Sequence, residues 1–351
     1  MALTARRTWS GLITDLLTGR HLTPDDAAWA MDGVVAGTAT SAQVAGFLVA
    51  LRAKGETPAE IAGLASVLRS QALPVRVAGP LIDIVGTGGD RSGAVNISTM
   101  ASIVVASTGA TVVKHGGRAA SSTTSGSADL VEALGVPLDL SPAESVRRAG
   151  IAFLHAPLYN PALQHVGAVR RELAVPTAFN VLGPLINPAD PKHGLVGVSD
   201  ERMLPVVASV LAERDCSVLV VRGSDGLDKL TTTGPSRVLT VRDGAVRSTV
   251  FDPRSVGIDL CTAGDLRSAD PVAVVRRLLA GERGAVRDVV LLNAAAALST
   301  LPGRPSLESC LEQCAAAIDS GAAAATLDRW TGSRTAVGCG RGSTRSLPTG
   351  A

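Results

Sequence analysis

The sequence predicts an α/β protein of 351 residues: a small helical N-terminal domain, then a larger domain with a mostly parallel sheet wrapped by helices. Three observations carry this. Up to about residue 72 the chain reads as short helices set off by caps and glycines. From Leu81 the rhythm changes to apolar β-branched run, loop, helix, the alternation of a parallel sheet. Apolar residues make up 46% of the chain but aromatics only 2%, so the core must be built from Ala, Val, Leu and Ile, which suits helices packed closely on a sheet.

The first helices are marked at their ends. Thr23-Pro24-Asp25-Asp26 supplies a cap, a proline at the first helical position and acids in the first turn, and Gly37 closes that helix. Ser41 is expected to cap the next run, whose apolar residues Val44, Phe47, Leu48 and Leu51 recur at helical spacing until Gly55. Thr57-Pro58-Ala59-Glu60 is a full capping box for a helix through Ile61, Leu64 and Leu68. Short helices with short joints make a bundle.

In the second part, strands are expected at residues 81–85, 111–113, 217–221 and 289–292. Helices are expected at 127–134, 141–149, 205–214 and 271–280, the second opened by a capping box from Ser141 to Glu144. Residues 238–249, with Asp243-Gly244 at the turn, read as a hairpin added to the sheet. Gly86, Lys114 and Gly223 each follow a predicted strand, so three loops should converge at the carboxyl ends, where such sheets bind ligands. Residues 306–330 are alanine-rich and helical. The domain division is 1–75, joined by helices from about 160–190; then 76–333; then a tail, 334–351, whose Gly, Ser, Thr and Arg composition predicts disorder.

The first strand opens into Gly86-Thr87-Gly88-Gly89-Asp90, and Asn96-Ile97-Ser98-Thr99 then starts a helix. Glycines let successive backbone N–H groups approach phosphate oxygens, and a helix N-terminus adds its orphan donors. The Walker pattern fails for want of a following Lys-Ser/Thr pair, and Arg91 stands where a dinucleotide loop has its third glycine. A carboxylate beside phosphate is repelled unless it meets a bridging metal or a sugar hydroxyl, so Asp90 points to a phosphorylated sugar with magnesium.

Other chemistry follows the later strands. Lys114-His115-Gly116-Gly117-Arg118 sets two strong cations beside two glycines, able to wrap a pyrophosphate or simply to form a solvated turn. The hydroxyl-rich segment around Ser122 is a phosphate loop or a linker, and proximity to Lys114 favours the former. Asp225-Gly226-Leu227-Asp228-Lys229 is either an Asx turn or a carboxylate loop for magnesium. Arg170-Arg171 reads as a clamp for a substrate carboxylate or as surface ion pairs. The five histidines are dispersed and read as structural.

A net charge of +2 offers no basic field for nucleic acid, and no apolar run reaches membrane-spanning length. No signal-peptide pattern opens the chain, and five cysteines, an odd number, fit a reducing compartment, so a soluble cytoplasmic protein is expected. Cys310 and Cys314, with no further ligand nearby, read as core.

These motifs, in this order, resemble the anthranilate phosphoribosyltransferase family of tryptophan biosynthesis, from about Leu17 to Trp330. The similar segments include Phe47 to Ala62, Gly86 to Asp90, Asn96 to Thr99, Lys114 to Arg118, Asp129 to Val136 and Arg170 to Pro188. The resemblance implies a phosphoribosyltransferase of the nucleoside-phosphorylase-like type: a homodimer with the helical domain hinged to the larger one and phosphoribosyl pyrophosphate and Mg2+ between them. It implies donor binding by Gly86, Gly88, Gly89, Asp90, Asn96, Ser98, Thr99, Lys114 and Ser122, with no role at Ala94. Acceptor binding falls to Gly86, Gly117, Asn160 and Arg170, and metal binding to Ser98 and Asp228.

The sequence departs from the family pattern where the acceptor and metal are expected. Gly117 replaces an asparagine, Asn160 stands where a histidine is expected, the hydroxyl loop is one residue longer, and Lys229 replaces the glutamate of an Asp-Glu metal pair. Two unit charges about 4 Å apart at an effective dielectric of ~20 interact by ~4 kcal/mol, so the Lys229 ammonium is expected to take the place of a second magnesium ion. The expected acceptor is anthranilate. The alternatives are a paralogue using another small aromatic acid in specialised metabolism, and an inactive homologue that binds a ligand or partner.

Overall fold

A computed structural model describes residues 7–118, 126–303 and 306–332. Among these residues, helices Trp9–Leu17, Pro24–Val35, Ser41–Lys54 and Pro58–Ser70 form the N-terminal bundle. Three carry reciprocal capping boxes: Thr23 with Asp26, Thr40 with Gln43, and Thr57 with Glu60. Thr40, not Ser41, therefore caps the third helix, because only Thr40 has a glutamine three residues on to answer its backbone N–H.

Glu60 does more than cap. Its wholly buried carboxylate accepts from the Leu22 N–H, the Thr57 N–H and the Lys54 ammonium, each at 2.8 Å. One side chain thus fixes a helix start and the approach of two other segments.

The larger part is built on one seven-stranded sheet among the described residues: β1 (Leu81–Gly86), β2 (Thr111–Gly116), β3 (Ile151–His155), β4 (His193–Gly197), β5 (Ser217–Gly223), β6 (Ser236–Arg242) and β7 (Ala245–Phe251). Their order is β3-β2-β1-β4-β5-β6-β7. The first five strands are parallel, and the β6–β7 hairpin adds antiparallel to β5 with Arg242 opposite Ala245 across the Asp243-Gly244 turn.

Alternation along the strands makes two cores. Ile82, Ile84, Leu195, Val221 and Val238 face helices Ile97–Ser107, Ala285–Leu298 and Leu307–Asp319. Val85, Val196, Val218, Val220 and Leu239 face the other way, into a core shared with Met203–Ala212, Gln164–Leu173 and the N-terminal bundle. Trp330 closes the first core: it is fully buried, and its indole N–H donates to the Ser145 hydroxyl at 2.9 Å.

Several expectations change. Residues 289–292 are not a strand but the middle of helix Ala285–Leu298, since a wholly apolar run has no readable period and the alanines after it continue the helix. β3 and β4 were not expected at all. The capping box at Ser141 does not form: the Ser141 side chain makes no capping bond, and the Glu144 carboxylate pairs with Arg147 and Arg148. Residues 306–330 are two helices, Leu307–Asp319 and Ala322–Thr331, broken at Gly321 with φ 80°. Cys310 and Cys314 are buried in the first core. The tail, 334–351, lies outside the described residues.

Candidate active site

β1 neighbours β2 on one side and β4 on the other, so the chain switches direction across the sheet at the carboxyl end of β1. A crevice opens at such a point, and the Gly86–Asp90 loop leaves β1 there. Gly88 and Gly89 have φ of 68° and 76°, which only glycine adopts without strain.

The loop is tied on both sides. The Thr87 N–H donates to Gly197 O at 2.9 Å, and the Ser199 N–H donates to Thr87 Oγ1 at 3.1 Å. The Ser199 hydroxyl donates to Gly88 O at 2.8 Å, while the Gly88 N–H donates to Asp228 Oδ2 at 2.7 Å. Gly88 is therefore held by its carbonyl from β4 and by its amide from the β5 loop.

Asp90 closes the loop as an Asx turn, its Oδ1 accepting from the Ser92 N–H and hydroxyl at 3.0 Å each. Burial works to raise its pKa, but the Ser92 N–H, the Lys229 charge and further hydrogen bonds prevail and hold the carboxyl below its ordinary value.

The Ile97–Ser107 helix starts beside this loop. Asn96 flanks its N-terminus without capping it, reaching instead to Gly126 O at 3.3 Å. The first turn carries Ser98 and the buried hydroxyl of Thr99, which finds no hydrogen-bond partner among the described residues. These uncapped donors suit an anion.

Lys114 lies inside β2 rather than in the loop after it, and is 1% exposed. Its ammonium donates to Ile84 O at 2.6 Å and to Ser98 Oγ at 3.1 Å, so it reaches the crevice through Ser98. Burial lowers its pKa to about 8 and raises that of the neighbouring Asp83 to about 6. Asp83 is in turn held by the Asn187 amide at 2.8 Å.

Asp228 and Lys229 share one seat at the carboxyl ends of β1, β4 and β5. A Cβ on Gly197 would collide with the Asp228 carbonyl, and a Cβ on Gly86 with both the Asp228 carboxylate and the Lys229 ammonium. The two absent side chains make room for the pair. Lys229 Nζ donates to Asp228 Oδ1 at 2.5 Å and to Asp228 O at 2.7 Å. Burial raises the Asp228 pKa, an effect that the Lys229 charge only partly offsets. Asp225 is an Asx turn: Oδ1 accepts from the Leu227 N–H, and Oδ2 from the Thr231 and Thr233 hydroxyls.

The remaining sequence candidates lie after β2, after β3 and on the helix Gln164–Leu173. Arg118 is ion-paired to Asp129 and Glu132 and does not wrap the loop. An added Cβ on Gly117 would meet nothing within 4 Å among the described residues. Asn160 is 2% exposed, with an unpartnered amide Nδ2. Arg170 lies over the Phe179 ring at 5.5 Å from its centroid and makes no ion pair among the described residues. Partial burial lowers its pKa. Ser122 lies outside the described residues.

A cavity of about 380 Å³ opens between the bundle and the glycine loop, lined by Arg52, Thr177, Asn180, Ser199, Asp200 and Arg222 among others. Across it Arg52 donates to Asp200 Oδ2 at 2.7 Å, and Arg222 donates to Ser199 O at 2.9 Å. Sequence reading missed Ser199, Asp200 and Arg52. A recognised β4 would have pointed to the first two; nothing local marks Arg52.

Two family models match the chain: glycosyl transferase family, a/b domain, over residues 78–324, and glycosyl transferase family, helical bundle domain, over residues 10–72. The anthranilate phosphoribosyltransferase of Saccharopolyspora erythraea is 54% identical over 334 residues, covering 92% of this chain and 95% of that protein. That of Streptomyces griseus is 53% identical over 337 residues, covering 93% and 95%. The crystal structure of the Thermus thermophilus anthranilate phosphoribosyltransferase superposes with a TM-score of 0.85 at 40% identity, covering 92% of this chain and 98% of that one. The Saccharomyces cerevisiae enzyme, in complex with phosphoribosyl pyrophosphate and Mg, superposes with a TM-score of 0.82 at 26% identity, covering 93% and 97%.

Proposed function

The chain belongs to the anthranilate phosphoribosyltransferase family, and we propose that it moves the 5-phosphoribosyl group from phosphoribosyl pyrophosphate to the amine of anthranilate, releasing pyrophosphate. The observation that carries the donor is the meeting, at one switch point, of the tethered Gly86–Asp90 loop with the uncapped start of the Ile97–Ser107 helix. Loop glycines, Asn96, Ser98 and Thr99 would hold the phosphates, with Lys114 acting behind Ser98. The Arg170 guanidinium, supported by Phe179 and making no ion pair among the described residues, would clamp the acceptor's carboxylate, with Gly117 and Asn160 as further acceptor candidates.

In the reaction the bond from the anomeric carbon to pyrophosphate breaks, and its electron pair leaves with pyrophosphate. The amine nitrogen forms the new bond and loses a proton. Fixed donors around the leaving group and a clamped acceptor supply electrostatics and positioning, the two terms such chemistry needs.

Magnesium bound to pyrophosphate would neutralise leaving-group charge. The residues fit one such ion: magnesium keeps waters and substrate oxygens and needs few protein ligands, and the Ser98 hydroxyl in the first helical turn, which accepts from the Lys114 ammonium, keeps a second lone pair. They do not fit a second ion at Asp228. One of its oxygens is taken by the Lys229 ammonium and the other by the Gly88 N–H, and the described residues hold no cluster of three His, Cys, Asp or Glu able to bind a metal.

We also propose that residues 1–75 and the helices from about 160–190 move as one body against the rest of residues 76–333, a division favoured by the packing of Val166, Val169 and Phe179 with the bundle. The protein is proposed to act as a homodimer in the cytoplasm. No helix among the described residues is long and apolar enough to cross a membrane.

Incubation with phosphoribosyl pyrophosphate, Mg2+ and a panel of aromatic acids, following pyrophosphate release, tests this reading. Release with anthranilate supports it. Release only with another acid, or donor binding without release, would overturn the acceptor assignment or the activity.

A further inference from the structure

A lysine usually spreads its stem over the surface and leaves its ammonium in water. Lys229 does neither. It is 7% exposed, and its ammonium sits against the α-carbon of Gly86, in space that exists only because Gly86 has no side chain. Two of its bonds go to Asp228, one to the carboxylate and one to the carbonyl. An ammonium carries three donors, so one remains. The other Asp228 oxygen holds the Gly88 N–H, so a single carboxylate sets both the cation and the loop above it.

Packing alone does not account for this arrangement. A buried ion pair contributes little that well-packed apolar side chains would not, so a pair lodged under a phosphate-type loop calls for a use of its charge. A tethered cation at this point needs no binding step of its own, and it repels any metal ion approaching Asp228.

We propose that the Lys229 ammonium is a built-in cation of the pyrophosphate site, occupying the place of a second metal ion, so that the donor binds with one divalent ion. The inference rests on the reading of the donor as phosphoribosyl pyrophosphate.

Equilibrium dialysis with Mn2+ and phosphoribosyl pyrophosphate, without acceptor, counts metal and donor retained by the protein. The wild-type protein should retain one Mn2+ per donor, and Lys229→Glu two. Lys229→Met, which keeps the volume and loses the charge, should bind donor at least about tenfold more weakly, measured at a temperature where circular dichroism shows the variant still folded. Two Mn2+ per donor in the wild type, or unchanged donor affinity in Lys229→Met, would overturn the inference. Wild-type protein that consumes anthranilate yet retains two Mn2+ defeats this inference and leaves the activity standing. Wild-type protein that retains no donor defeats both.

Discussion

The Ser199 hydroxyl donates to the carbonyl oxygen of Gly88 at 2.8 Å, joining the end of β4 to a loop 111 residues earlier in the chain. With the Ser199 N–H on Thr87 and the Asp228 carboxylate on the Gly88 amide, this bond sets the plane of the peptide unit beside the crevice. Preorganisation of that kind matters because loop donors must already point at the leaving group when charge develops there.

Ser199→Ala removes the bond to Gly88 and leaves the Ser199 backbone in place. A neutral hydrogen bond is worth about 1 kcal/mol, so KM for phosphoribosyl pyrophosphate should rise roughly fivefold with KM for anthranilate unmoved. Steady-state kinetics with each substrate varied in turn decides it; equal shifts in both KM values would refute the loop-specific role.

Arg170→Lys keeps the charge but loses the planar fork and its contact with Phe179. Hydrogen bonds to charged groups are worth about 1.5–3 kcal/mol, so KM for anthranilate should rise roughly 10- to 100-fold while donor binding holds. Calorimetry of the variant with each substrate separately would show whether the loss is confined to the acceptor.

Gly117→Asn places an amide where no described residue lies within 4 Å of the new Cβ. The melting temperature should stay within about 2 °C of wild type. If Gly117 faces the acceptor, one added hydrogen bond should lower KM for anthranilate by roughly threefold or more. A change in the donor KM alone would place Gly117 on the wrong side of the site.

Glu60→Ala takes from the Lys54 ammonium its counter-charge in the bundle core and leaves two backbone N–H groups without their acceptor. Removing one partner of a buried pair costs about 3–5 kcal/mol, which urea unfolding should report as a large fall in midpoint. Glu60→Gln, which keeps the shape and one acceptor oxygen, should lose markedly less; equal losses would mean the charge is immaterial.

The residues differ in how visibly they advertise themselves. Gly86–Asp90 was legible because a strand running into glycines with positive φ has few other uses. The Thr57–Glu60 box was legible as a cap, but its grip on Leu22 and Lys54 was not, since those partners meet it only in three dimensions. Residues 289–292 misled because an apolar run without alternation fits a buried strand and a buried helix equally. β2 was read as ending at Val113 because a lysine looks like a loop residue; the Asp83 beside it, which makes a buried ammonium tolerable, is contributed by another strand. Ser199 and Arg52 act through single long-range bonds, for which no local pattern exists.

The Arg52–Asp200 pair gives the fold a constraint on its own inheritance. Arg52 belongs to the bundle, Asp200 follows β4, and Asp200 adjoins the Ser199 that holds the glycine loop. The two units are therefore not interchangeable parts. A chimera exchanging either unit with that of a relative would have to carry a matched charge at the other end of this contact, so bundle and sheet are expected to have diverged together rather than by shuffling.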